Sequence, residues 1–236
     1  MRCYFVRHGQ STNNLLYENT NSTEGRSEDP ELTSLGIRQA KRAGLFFSRG
    51  IDPGDDPKES IGLSITHIYS SLMVRAVNTG YEISHASGLP LVGWKDLHEQ
   101  GGIYYENTAD GEKVGLPGKR KDELRSLFPN LTFWEEPNID GWWNHAHETT
   151  EAARVRGKKV LNQLLERHGG TDDRVVLVSH GAFYACFMSA VLKLQKPDDY
   201  WFVLNNTGIT RVDFLDKYTY LVYQNNLGFL KKEQIT

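Results

Sequence analysis

Two four-residue apolar runs, Cys3-Tyr4-Phe5-Val6 and Val175-Val176-Leu177-Val178, lie far apart in the chain and end the same way. The first passes directly into Arg7-His8-Gly9 and the second into Ser179-His180-Gly181. A short run with no polar alternation fits a strand buried on both faces, the kind found at the centre of parallel sheets. Parallel neighbours need crossover connections, so the pair demands an α/β chain with helices between its strands. Right-handed crossovers would bring the carboxyl ends of both runs to one side of one sheet. Open α/β sheets bind ligands outside those ends. The two histidines are therefore expected as neighbours at a site.

The remaining patterns supply the crossovers. Thr33 reads as an N-cap before Leu35, Ile37, Ala40, Ala43, Leu45 and Phe46, whose spacing predicts a helix that stops at Gly50. Residues 64–71 predict a second strand, and Arg75 follows within a turn at the start of a helix carrying Ala76, Val77, Tyr81 and Ile83. A third strand over residues 89–94 leads to Glu99, again a charged residue just past a strand. Residues 148–168 predict a long amphipathic helix closed by Gly169-Gly170, and another helix follows Gly181. Residues 207–214 and 218–223 alternate around Asp216-Lys217 and suggest a closing hairpin. Residues 13–31 read as a long polar loop and 51–62 as an exposed connection.

Residues 101–147 differ from the rest. Tyr104, Tyr105, Phe128, Phe133, Trp134, Trp142 and Trp143 stand among lysines, arginines, glycines and prolines, with one helix predicted near 120–128 and ended by Pro129. The segment reads as an insertion whose aromatics pack on the main body, and as a cap over the site. Residues 1–236 thus read as one domain with a cap insertion at about 101–147.

A net charge of -3 argues against non-specific nucleic-acid binding, which needs a basic surface to displace counterions. An anionic substrate must then be held by a local cluster of cations. Cys3 and Cys186 sit in apolar patterns and read as small core side chains, which fits a reducing compartment. No leader pattern and no apolar run of about 18 residues occurs, so a cytoplasmic location with no membrane partner is expected. His145-Ala146-His147 offers two metal-type ligands without an evident third, and neither a metal nor a cofactor is expected. Homo-oligomerisation is left open.

Arg7, His8, Arg75, Glu99 and His180 are thus expected together, with no serine or cysteine nucleophile and no carboxylate pair for magnesium. Phosphoryl transfer to a histidine suits this set. The transferred group spreads its charge over three oxygens, and arginine forks match them. One imidazole can form a covalent intermediate if neutral, the other can steady the group in flight, and Glu99 is the candidate acid and base. Backbone N–H groups at the helix starts after each His-Gly add an anion seat, which includes Gly181.

These residues resemble the histidine phosphatase superfamily, which includes the phosphoglycerate mutases. The resemblance rests on Val6-Arg7-His8-Gly9-Gln10-Ser11 with Asn14, on Leu32-Thr33-x-x-Gly36-x-x-Gln39-Ala40, on Ser71-x-x-x-Arg75-Ala76-x-x-Thr79, on Leu97-x-Glu99 and on Val178-Ser179-His180-Gly181. It implies a three-layer α/β/α sandwich with a mostly parallel sheet and a cap after the third strand. It also implies that His8 is the phosphorylated nucleophile, that Arg7, Arg75 and His180 form the phosphate pocket, that Glu99 donates the proton, and that Asn14 is a further contact. A phosphorylated small molecule is the implied substrate. Phosphoglycerate mutases typically carry Arg, then Tyr, after the acid, whereas Gln100-Gly101-Gly102-Ile103-Tyr104 follows Glu99 here. That departure favours a phosphatase, with a mutase and a catalytically silent phospho-ligand or partner-binding protein as the other readings.

Overall fold

The computed structural model describes residues 1–55, 63–107 and 110–236. The chain first runs through β1 (Arg2–Arg7), α1 (Thr12–Thr20), α2 (Ser34–Arg49), β2 (His67–Ser70), α3 (Val74–Ser87) and β3 (Leu91–Gly93). The insertion contributes β4 (Tyr104–Glu106), β5 (Lys113–Gly115), α4 (Lys121–Leu127) and β6 (Thr132–Phe133). There follow α5 (Thr150–His168), β7 (Arg174–Ser179), α6 (Gly181–Val191), β8 (Ile209–Phe214) and β9 (Thr219–Asn226).

Seven strands form one sheet in the order β6-β3-β2-β7-β1-β8-β9. From β6 to β1 every pairing is parallel, and β8 and β9 add antiparallel edges. The two apolar runs are therefore direct neighbours at the centre, in a register that sets Arg7 opposite Ser179. Their composition follows from this position, because each strand buries both rows of side chains. Tyr4, Val6, Val176 and Val178 pack with Ala43 and Phe47 of α2 and with Ala76 and Val77 of α3. Cys3, Phe5, Val175 and Leu177 pack with Val160 and Leu164 of α5 and Phe183 and Phe187 of α6. The fold is thus a mixed α/β sandwich of three layers, with a mostly parallel sheet between two helical layers.

The polar stretch 13–31 is not all loop. Ser11 caps α1 by accepting from the Asn14 N–H, Asn14 reciprocates through the Ser11 N–H, and Asn21 ends the helix in the left-handed region at φ 51°. None of its residues is buried, so no apolar stripe announces it, and the cap chemistry sets where it starts. The helix predicted from residue 148 starts at Thr150, capped by the Thr149 hydroxyl, because Glu148 is drawn aside by Arg156. Strand β2 is shorter than 64–71, with Ser64 in the left-handed region at φ 43° just outside it. Residues 56–62 of the connection expected at 51–62 lie outside the described residues.

The insertion is built around its aromatics. Strands β4 and β5 form an antiparallel hairpin, and β6 joins the edge of the main sheet parallel to β3. Leu124, Phe128, Trp142 and Trp143 belong to the same buried cluster as Val77 and Ile83 of α3. At Gly102, φ is +75° and an added Cβ would stand 2.2 Å from the Trp143 ring, so the turn after Glu99 admits only glycine. Both cysteines are buried and unpaired. Among the described residues no helix is long and apolar enough to cross a membrane.

Candidate active site

His8 is the first residue beyond β1, and its N–H donates to the Ser179 carbonyl of the neighbouring strand at 3.0 Å. That bond and the Arg7–Ser179 register bring the two imidazoles, His8 and His180, to a ring separation of 5.0 Å. Both rings are buried. The His8 ring is fixed at its two nitrogens. Nδ1 lies 2.7 Å from the Gly9 carbonyl, which can only accept, so Nδ1 carries the hydrogen and Nε2 the lone pair. Consistently, the Arg75 Nε–H donates to His8 Nε2 at 3.1 Å.

Arg75 reaches that atom from the first turn of α3. No side chain within α3 caps its start; instead Asp29, from the far end of the 13–31 stretch, accepts from the Val74 N–H at 3.1 Å and stands 3.8 Å from Arg75 Nη1. One turn on, the Thr79 hydroxyl accepts from the Gly9 N–H at 3.1 Å and donates to the Arg75 carbonyl. Helix α3 therefore holds both the loop that carries His8 and the cation that faces it. On the other side, the Asn206 Nδ2 donates to the His8 carbonyl at 3.0 Å and to the side-chain Oδ1 of Asn14 at 3.2 Å. Asn14, expected as a phosphate contact, thus has its side-chain oxygen engaged by Ser11 and Asn206 in shaping the loop.

His180 stands just before α6, and its Nε2 pairs with the Ser71 hydroxyl at 2.8 Å. Its Nδ1 is buried without a partner, as is Nε of Arg7, whose Nη1 donates to the Leu204 carbonyl at 2.7 Å. Gly181 lies beside that guanidinium, with an added Cβ only 3.6 Å from Arg7 Nε. Glu99 accepts at Oε1 from the Phe183 N–H at 2.8 Å and at Oε2 from the Ala182 N–H at 3.3 Å, so the first turn of α6 holds the carboxylate. The loop carrying it is braced by Arg156, which donates to the carbonyls of Asp96 and His98 and makes a two-bonded pair with Glu148.

The electrostatics follow from this crowding of cations in a buried place. Burial pushes His8 well below the ordinary imidazole range, and Arg75 and Arg7 push it further. His180 is lowered by burial and then by Arg75. Arg7 and Arg75 are themselves lowered by burial, each opposed by nearby carboxylates: Glu99 for Arg7, and Asp29 with Glu99 for Arg75. Neutral imidazoles beside charged guanidiniums, with Arg7 Nε and His180 Nδ1 buried and unpartnered, can form a seat for a small oxyanion.

The structure brings together the five residues expected at the site, Arg7, His8, Arg75, Glu99 and His180, and adds supports that the sequence patterns did not point to. Asp29 and Asn206 come from segments with no local pattern of their own, and the amphipathic pattern of 148–168 does not reveal that Glu148 and Arg156 pair. Asp29 had one signal, the Asp29-Pro30 close of a long polar stretch. His145 and His147 fall to other uses, packed against Trp143 and Tyr104 respectively.

The model of the histidine phosphatase superfamily (branch 1) matches residues 3–227. The chain belongs to that superfamily. A relative called "Probable phosphoglycerate mutase GpmB" from Yersinia pestis (strain Pestoides F) is 28% identical over 223 residues, covering 91% of this chain and 85% of the relative. Among solved structures, the phosphoserine phosphatase of Entamoeba histolytica in complex with 3-phosphoglyceric acid aligns with a TM-score of 0.60 at 21% identity, covering 98% of this chain and 99% of that one. A mycobacterial glucosyl-3-phosphoglycerate phosphatase with inorganic phosphate aligns with a TM-score of 0.60 at 22% identity, covering 98% and 99%. Both likenesses concern the fold.

Proposed function

We propose that the chain is a metal-independent phosphomonoesterase that works through a phosphohistidine on His8. The observation that carries this reading is the fixed tautomer of His8, with Nδ1–H held by Gly9 and a lone pair on Nε2 directed at the cationic seat. The phosphoryl group of a monoester takes its place among Arg7 Nε, Arg75 and His180 Nδ1. The Nε2 lone pair attacks phosphorus, the N–P bond forms as the P–O bond to the leaving alcohol breaks, and Glu99 gives that oxygen a proton. Water then attacks the phosphohistidine while Glu99 takes a proton from it. Inorganic phosphate leaves and His8 is restored. Arg7 and Arg75 supply the positive charge that the three phosphoryl oxygens need.

The test is phosphate release from an aryl phosphate by wild type and His8→Ala, each with and without EDTA, together with acid-quenched trapping of labelled phosphate. Loss of release and of labelling in His8→Ala, with no effect of EDTA, is the expected result. Full activity of the variant would overturn the reading. A mutase is the second reading, favoured by the name of the Yersinia relative. It predicts isomerisation of a phosphorylated sugar acid faster than phosphate release from it. A silent binding protein predicts no label on His8 at all.

A further inference from the structure

A pocket of about 670 Å³ includes Arg7, Glu99 and Gly181 in its lining and so shares a wall with the candidate active site. That is ample for a leaving group of many heavy atoms. Its other walls are Ala182 and Ala185 of α6 and the segment after that helix, from which Trp201 and Val203 face it. Trp201 is 89% exposed and Val203 58% exposed, which leaves a large apolar surface in water beside a catalytic constellation. Charge is nearly absent from the rest of the lining. Apart from Arg7 and Glu99, its charged side chains are Arg154 and Asp198, and these form an ion pair with each other. Among the described residues lining it, apart from Arg7, no cation stands without a carboxylate partner.

We infer that this pocket receives the leaving group, and that the substrate is a phosphomonoester of an alcohol with a bulky, uncharged, apolar body. The inference rests on the phosphomonoesterase reading, because it is Glu99 that ties the pocket to the leaving oxygen. With the phosphoryl group held at Arg7 and the ester oxygen at Glu99, the alcohol's carbon skeleton extends along α6 and covers the Trp201 ring. Substrates with a second negative charge are poorly served on this side. Arg26 and Lys113 lie instead over the Tyr104 ring in the insertion.

The experiment uses a homologous series from ethyl to hexyl phosphate, in which the leaving alcohol's reactivity is nearly constant while its apolar area grows. Wild-type kcat/KM is expected to rise about two- to fourfold per added methylene, the gain for burying such a group. Trp201→Ala, at an exposed position whose loss disturbs no core, is expected to make that slope shallower, with about a fivefold loss on hexyl phosphate. A flat series, or higher kcat/KM for phosphoserine or 3-phosphoglycerate than for hexyl phosphate, would overturn the inference. Equilibrium binding of the same series to His8→Ala by calorimetry separates the two layers of argument. Affinity that climbs with chain length supports the pocket even if wild type releases no phosphate, in which case the phosphatase reading alone fails. Affinity independent of chain length overturns the pocket assignment whatever the turnover.

Discussion

Arg75 donates from Nε to His8 Nε2 across 3.1 Å, and Asp29 stands behind it, 3.8 Å from Nη1. The guanidinium thus meets the candidate nucleophile with its Nε–H while Nη1 faces Asp29. Lysine keeps the charge and loses the fork. Arg75→Lys is therefore expected to lower kcat/KM for phosphate release by about a hundredfold or more, in line with the loss of a preorganised donor at a developing charge. Steady-state kinetics on an aryl phosphate check it, and a variant within a few-fold of wild type would remove Arg75 from the phosphoryl seat.

Arg156 and Glu148 pair through two short bonds, 2.6 and 2.8 Å, with side chains only 8% and 10% exposed. Removing one partner leaves a buried charge alone, at a cost of about 3–5 kcal/mol. Because Arg156 also holds the carbonyls of Asp96 and His98, Glu148→Ala is expected to loosen the loop that presents Glu99. Urea denaturation should show the loss of stability. Activity at a temperature where the variant remains folded should also fall; an unchanged kcat would mean that the brace supports stability only.

The chain approaches itself closely where α2 meets the loop after His8. A Cβ at Gly36 would lie 2.1 Å from the Gln10 carbonyl, and one at Gly9 would lie 2.5 Å from the Gly36 carbonyl. Gly36→Ala must push α2 and the loop apart, with a destabilisation of about 1–3 kcal/mol. A crystal structure of the variant should show the segment 8–10 displaced, and kcat should drop because Gly9 carries the acceptor that fixes the His8 tautomer. Wild-type stability in the variant would contradict the close contact.

Three buried imidazoles make stability depend on acid. His8, His98 and His180 are all held well below the ordinary range, chiefly by burial, with Arg75 next for His8 and His180 and Arg156 next for His98. In the unfolded chain each binds a proton near pH 6.5, about the value for a free imidazole. Below that pH the unfolded state binds more protons than the folded one, so folding free energy is lost as pH falls. Above it both states are neutral and these rings add no slope. The expected loss below pH 6.5 is up to about 1.4 kcal/mol per pH unit for each ring. Urea unfolding across pH 5 to 7.5 measures it, and a flat profile would show that the rings titrate alike in the folded and unfolded chain.

The central sheet was legible because its strands bury both faces. Val175 to Val178 are all fully buried between α2–α3 and α5–α6, and an uninterrupted apolar run is what that position requires. The same logic exposed the two histidines, each at the point where burial stops. Helix α1 was not legible, since it buries nothing and depends on a reciprocal Ser11–Asn14 cap. The side-chain oxygen of Asn14 is held by Ser11 and Asn206, contacts that no sequence pattern announces.

Local patterns of burial and capping therefore determined which residues end strands, and with them the roll of Arg7, His8, Arg75, Glu99 and His180. What the tertiary structure alone decided was how those side chains are aimed. The tautomer of His8 depends on the Gly9 carbonyl, the place of Arg75 on Asp29 and α3, and the seat of Glu99 on backbone N–H groups of α6. These partners are distant in sequence or lie in backbone atoms that every residue shares. Periodicity carries no trace of such contacts, because they arise only when separate elements pack.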